Sequence, residues 1–202
     1  MPRAPKILPF TFLSLALQAH SATLYTEIGA MDLGDNAFNP SALGALSQGD
    51  NTISGVINEG GAFKPDVFSF TIDSDLQLTS LTFEFSSDLS SHFLAFKDSS
   101  GAFDHTDTIL FAALVSSAQN NLNILEIEQD GGDVAEDSGL PRPLGFDLPL
   151  PSGEYTLWFQ ETSNETVSYT FNLTTVSIPE PTSLSASCLG LFLLLQLRRE
   201  KP

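Results

Sequence analysis

The chain has 202 residues, enough for one ordinary domain plus targeting segments, and a formal charge of −17. Between Thr23 and Ile178 the balance is steeper, 23 acids against Lys64, Lys97 and Arg142 for a formal charge of −20, which argues against direct binding to nucleic acid or an anionic lipid surface. The single cysteine, Cys188, lies in a C-terminal apolar run, so the body has neither a disulfide nor a thiol nucleophile.

The first segment is a signal peptide over residues 1–22. Arg3 and Lys6 supply its positive start, "ILPFTFLSLAL" (Ile7–Leu17) its apolar stretch, and "QAHSA" (Gln18–Ala22) the small residues at a cleavage site. Cleavage falls after Ala22 or after Ser21. A buried first helix fits less well, because Pro9 interrupts the run.

From residue 23 to residue 178 short alternating segments are separated by Gly, Pro, Asn, Asp and Ser. "TLYTEIG" and "NTISGVI" are opening strands. "DVFSFTI" turns Phe68, Phe70 and Ile72 inward against Ser69 and Thr71, and "SLTFEFS" does the same with Leu81, Phe83 and Phe85 against Thr82 and Glu84. "HFLAFKD" and "NILEIEQ" are strand-like with apolar residues on both faces. "DTILFAALVSSAQNNL" (Asp107–Leu122) is the one candidate helix. "GEYTLWFQE" places Tyr155, Leu157 and Phe159 on one face and Trp158 on the other, and "VSYTFNLTTV" buries Val167, Tyr169, Phe171 and Leu173. About seven to nine such strands with Gly-rich turns predict an all-β fold, an antiparallel β-sandwich. Its Phe-rich inner faces carry the stability, each buried ring contributing roughly 1.5–3 kcal/mol.

The order "GVINEGGAFKPDVFSFTI", a Phe-rich strand, "LAFKDSSG" and "LPSGEYTLWFQE…YTFNLT" resembles the bacterial pre-peptidase C-terminal domain, over roughly Asn51–Val176. The resemblance implies a small β-sandwich of the kind appended to secreted proteases and carried by surface proteins. The middle, "HTDTILFAALVSSAQNNLNILEIEQDGG", departs from the small-residue and Asp-rich pattern of that family.

Beyond the body, Pro179 and Pro181 can neither continue a strand ladder nor sit inside a helix. Thr182–Leu197 can be helical, but sixteen residues at about 1.5 Å rise span roughly 24 Å, short of the ~30 Å hydrocarbon core. This short transmembrane helix is a marginal anchor, helped by snorkelling of Arg198 and Arg199. The positive-inside rule places "RREKP" in the cytoplasm beside Arg3 and Lys6, leaving the acidic body outside.

Pro-Glu-Pro, a weak span and a basic end in that order resemble the PEP-CTERM sorting signal of Gram-negative bacteria, over residues 179–202. The resemblance implies that Pro179, Glu180 and Pro181 are the recognition motif of an exosortase, a membrane cysteine enzyme, and that Arg198, Arg199 and Lys201 are the stop-transfer cluster. It implies transient residence in the inner membrane, then the outer surface or exopolysaccharide matrix. The short span, polar Gln196 and the extension past the arginines depart from the pattern. A plain one-span anchor is the alternative.

Motifs of chemistry are sparse. No Gly-x-Ser-x-Gly elbow, His-Glu-x-x-His, P-loop or Gly-x-Gly-x-x-Gly occurs. His92, on a strand face, and His105, in a loop, are the histidines of the mature body. "EQDGGDVAED" gathers Asp130, Asp133, Glu136 and Asp137 around two glycines, hard oxygen ligands suited to calcium, or else a solvated acidic loop. "DSD" (Asp73, Asp75) and "DHTD" (Asp104, Asp107) are smaller cases, and none has EF-hand spacing. No other cofactor is expected. The chain is thus expected to be a non-enzymatic exported protein with a structural or adhesive β-sandwich. A calcium-dependent or glycan-binding module on extracellular polysaccharide is the alternative, and a secreted hydrolase a more distant one.

Overall fold

A computed structural model of the chain describes residues 20–27, 33, 34, 36–57, 64–86, 92–103, 109–116, 118, 120–126, 147–162 and 165–179. Nine strands form among them: β1 (His20–Thr26), β2 (Ser41–Ala45), β3 (Gly49–Ile57), β4 (Asp66–Ile72), β5 (Leu76–Phe85), β6 (His92–Asp98), β7 (Ile109–Val115), β8 (Gly153–Glu161) and β9 (Val167–Ser177). They make two sheets, ordered β1-β3-β9-β5 and β2-β4-β8-β6-β7.

Period-two burial creates the core between them. In β9, Val167, Tyr169, Phe171, Leu173 and Thr175 are buried while their neighbours face outward. The register sets Ile53 opposite Phe171 and Phe171 opposite Phe83, one apolar row across the first sheet. Phe68 and Phe159 of the second sheet meet that row edge-on, with ring centroids 6.0 and 5.4 Å from Phe171. Edge-to-face packing of this kind adds to the burial of each ring.

The sandwich is mixed, which corrects the antiparallel expectation. β1 pairs with β3 in parallel, and so does β2 with β4. The first four strands alternate between the sheets, so each returns beside the strand two before it. Alternation of side chains reports burial but not which strand lies alongside, so this crossover is silent in the sequence. β2 itself was not anticipated: it is short, carries Gly44 at φ +94° and breaks register between Ala42 and Ala45.

Two further expectations are revised. The candidate helix at Asp107–Leu122 is strand β7 over Ile109–Val115. Phe111 and Val115 turn into the main core while Ile109 and Ala112 join a second cluster on the outer face of the sheet. Burial on both faces erases any period and leaves strand and helix indistinguishable by pattern. "NILEIEQ" opens with a 3₁₀ turn at Ile124–Glu126 instead of a strand. Asn123 holds that turn, its Oδ1 accepting from Leu81 N–H (2.9 Å) and Leu125 N–H (3.3 Å), a local bond that competes with the ladder.

The second sheet is covered on its outer face as well. Val67, Phe93, Ala95, Phe103, Ile109 and Ala112 are buried there, with Ala37 and the half-buried Trp158 packed against them. The turn through Ala37 and the loop ending at Phe103 form the lid, joined by Phe103 N–H to Ala37 C=O at 2.7 Å. Lys97, 1% exposed, donates to Ala102 C=O and stands 5.3 Å from the Phe103 ring centroid. This explains why "HFLAFKD" is apolar on both faces. His92 is buried in the core, its ring 4.1 Å from Phe85 and 5.6 Å from Phe159.

Candidate functional site

The first feature with functional content is where the chain enters and leaves. Across the first sheet, His20 lies opposite Gly49, Gly49 opposite Thr175, and Thr175 opposite Leu78. The row marks one end of the sheet: β1 starts there and β9 ends there, with only β3 between them, a lateral separation of roughly 10 Å. Ile178 N–H donates to Asp75 C=O at 2.8 Å, the last ladder bond before Pro179, which has no N–H and is exposed. Asp50, Asp73 and Asp75 are exposed at this same end. The predicted leader cut falls inside β1, and cleavage after Ala22 leaves Thr23–Thr26 facing Thr52–Ser54.

At the opposite end of the same sheet lies an open cleft of about 370 Å³. The end of β5 supplies Glu84, Phe85 and Ser86, the start of β9 supplies Ser168, Tyr169 and Thr170, and the segment after β7 supplies Asn120 and Asn121. Phe85 and Tyr169 have their rings in the core, 6% and 3% exposed, so the polar side chains define the surface. The walls are tied together: Ser86 N–H donates to Ser168 C=O (3.0 Å), and Ser168 N–H to Ser86 Oγ (3.2 Å). Asn120 clips onto the β5 backbone, Oδ1 accepting from Phe85 N–H at 3.3 Å and Nδ2 donating to Phe85 C=O at 3.2 Å. Asn121 takes the left-handed conformation (φ 63°) that asparagine tolerates, and its N–H donates to Phe83 C=O at 2.9 Å. Among the described residues the lining offers hydroxyls, carboxamides and one carboxylate, with no basic side chain.

Behind the cleft a polar contact crosses the sandwich. Tyr169 Oη donates to Asp66 Oδ2 at 2.5 Å, and Glu27 Oε2 accepts from Val56 N–H at 2.5 Å. Burial, then the negative charge of Asp66 and its hydrogen bond, hold the Tyr169 phenol well above its ordinary value, so it stays protonated and able to donate. Tyr155, donating to Pro151 C=O at 2.9 Å, is also raised, first by burial and then by Asp98.

Of the sorting residues, Pro179 is described and exposed, while Glu180, Pro181, Arg198, Arg199 and Lys201 lie outside the described residues. So do the leader through residue 19, the predicted membrane helix, His105, Asp104, Asp107 and the calcium candidates Asp130, Asp133, Glu136 and Asp137. Asp73 and Asp75 sit exposed on the β4–β5 turn. Among the described residues no three His, Cys, Asp or Glu side chains gather as a metal site, and no helix is long and apolar enough to cross a membrane.

Sequence reasoning puts Glu84, Ser168 and Thr170 at the outward positions of alternating strands and Asn120 and Asn121 at the end of the candidate helix, and so does not bring them together. The signal available was the Asn120-Asn121 pair, a turn dipeptide placed between two apolar segments. No family model, curated protein or solved structure matches the chain.

Proposed function

We propose that this is an exported, non-enzymatic β-sandwich protein, delivered to the outer surface or exopolysaccharide matrix of a Gram-negative cell, where it has a structural or adhesive role. An exosortase acting near Pro179, Glu180 and Pro181 releases it from the inner membrane, which Arg198, Arg199 and Lys201 hold from the cytoplasmic side. The observation that carries this reading is the shared end of the first sheet from which both β1 and β9 meet their flanking segments. A domain held by a leader before it and a hydrophobic tail after it, both in one bilayer, needs its two exits on one side. Because β9 ends at Ser177, cleavage near the Pro-Glu-Pro leaves all nine strands intact.

The test compares the full chain with a chain lacking residues 179–202, by fractionation and by mass spectrometry of the mature product. The full chain is expected outside the inner membrane with a new C-terminus near Pro179, and the shortened chain is expected to be exported without the membrane-held precursor. A mature product from the native host that retains Arg198 and Arg199 overturns the sorting assignment.

A further inference from the structure

We propose that the cleft lined by Glu84, Ser86, Asn120, Asn121, Ser168 and Thr170 binds a neutral polysaccharide chain. This deepens the function proposed above and rests on it only for the place where the ligand is met. The chemistry of the lining selects the class. Sugar hydroxyls each donate and accept, and the cleft presents hydroxyls that do both, the Asn121 carboxamide that supplies each separately and a carboxylate that accepts. Other classes fit worse. Among the described residues the lining has no basic side chain, and it sits on a body of formal charge −20, which disfavours uronates, phosphates and nucleic acid. Among the described residues one carboxylate, Glu84, lines the cleft, short of the six to eight oxygens of a calcium site. The two rings in the lining face the core, so an apolar ligand finds no platform.

Shape and rigidity agree with a chain lying across the surface. The cleft is about 370 Å³ and open to solvent, near the lower end of the roughly 300–1,000 Å³ of enclosed small-molecule pockets. Its walls are two hydrogen-bonded strands, β5 and β9, plus a segment pinned to β5 through Asn120. Little ordering is therefore required when a ligand arrives. Its location is the end of the first sheet opposite the chain exits. From Ser168 to Ser177 β9 runs roughly 30 Å at about 3.3 Å per residue, so the cleft lies well away from the end at which the tail leaves the sheet.

The experiment is titration calorimetry on the purified full chain with cellohexaose, laminarihexaose and chitohexaose as neutral probes and polygalacturonate as the anionic control. Heat is expected with at least one neutral probe and none with polygalacturonate. Glu84→Ala is expected to weaken that binding about fivefold, the loss of one hydrogen bond. Asn121→Gly, which suits the left-handed backbone and leaves the fold intact, is expected to weaken it similarly, and Gln77→Ala at the exit end is expected to leave it unchanged. No heat from any neutral probe, equal heat from polygalacturonate, or an affinity in both cleft variants that equals the parent's overturns the proposal. Binding by purified protein together with a mature product that keeps its tail would overturn the sorting assignment while leaving the cleft assignment standing.

Discussion

Tyr169 Oη donates to Asp66 Oδ2 across 2.5 Å, joining β9 of one sheet to the first residue of β4 in the other. The two residues are 3% and 2% exposed. A hydrogen bond to a charged acceptor in this setting is stronger than a neutral one, and desolvation makes the loss of its donor costly. Apolar burial holds the sheets together without direction. This bond fixes where β9 sits along β4.

Tyr169→Phe keeps the ring contacts with Phe159 and Phe171 at 5.1 and 5.3 Å and removes that donor. The variant is expected to lose roughly 1.5–3 kcal/mol, read as a lower urea midpoint with an unchanged slope. A midpoint equal to the parent's would mean that the contact contributes nothing to the fold.

Alkaline stability follows from the same group. In the unfolded chain Tyr169 and Tyr155 lose their protons near the ordinary tyrosine value of 10.0, whereas folding raises both, Tyr169 the further. Above pH 10 the folded state therefore holds more protons than the unfolded state, and stability falls as pH rises toward the folded values. Below pH 10 both phenols are neutral in either state and contribute no slope. Urea midpoints are expected to be insensitive to these groups between pH 8 and 9 and to drop above about 10. Tyr169→Phe should flatten that drop more than Tyr155→Phe does, and equal drops in both variants would contradict the assignment.

Gly55 is the close-approach glycine of this region. A Cβ there would stand 2.5 Å from Tyr169 Oη, 2.7 Å from its Cζ and 3.0 Å from Glu27 Oε2. Tyr169 is locked by the surrounding rings, so the ring cannot swing aside cheaply. Gly55→Ala is expected to cost roughly 1–3 kcal/mol, in the range of overpacked cores, despite the better strand propensity of alanine. Combining it with Tyr169→Phe, which removes the nearest atom, should recover part of that loss. A strictly additive pair in a double-mutant cycle would refute the proposed clash.

How far the sequence could be read depended on what each residue's neighbours are. β5 and β9 were legible because Leu81, Phe83 and Phe85, and Tyr169, Phe171 and Leu173, alternate with polar residues, and burial on one face writes that period directly; β4 and β8 kept the period because Ser69, Thr71 and Thr156 stand between their core-facing residues although the outer face is covered. β7 was misread because Phe111 faces one cluster and Ala112 another, so its alternation vanished. The parallel edge pairs were invisible because they follow from the path of the chain between sheets. Tyr169 read as a core position, which it is, yet nothing local to it says that Asp66, distant in sequence, waits at its hydroxyl. The cleft draws on three separate segments, and such a constellation exists only once β5 and β9 are paired.

The edge of β5 gives a last prediction. β5 ends its sheet, and an exposed strand edge invites pairing with another chain. Asparagines of the segment after β7 cover that edge: Asn120 on Phe85, and Asn123 on Leu81 N–H at 2.9 Å and Thr79 C=O at 3.4 Å. Asn123 also accepts from Leu125 N–H and donates to Glu126 Oε1 at 3.0 Å, so one side chain holds both the edge and the turn. Asn123→Ala is expected to destabilise the domain by roughly 1–3 kcal/mol, since strand and turn groups lose their partner together. It should also produce concentration-dependent association, seen by sedimentation velocity, as the freed edge becomes a template. Asn123→Asp retains the acceptor for Leu81 and Leu125 N–H but loses the donor and sets a second carboxylate against Glu126, so it should fall between alanine and the parent. An alanine variant that stays monomeric at the parent's urea midpoint would show that the edge is protected by something other than this residue.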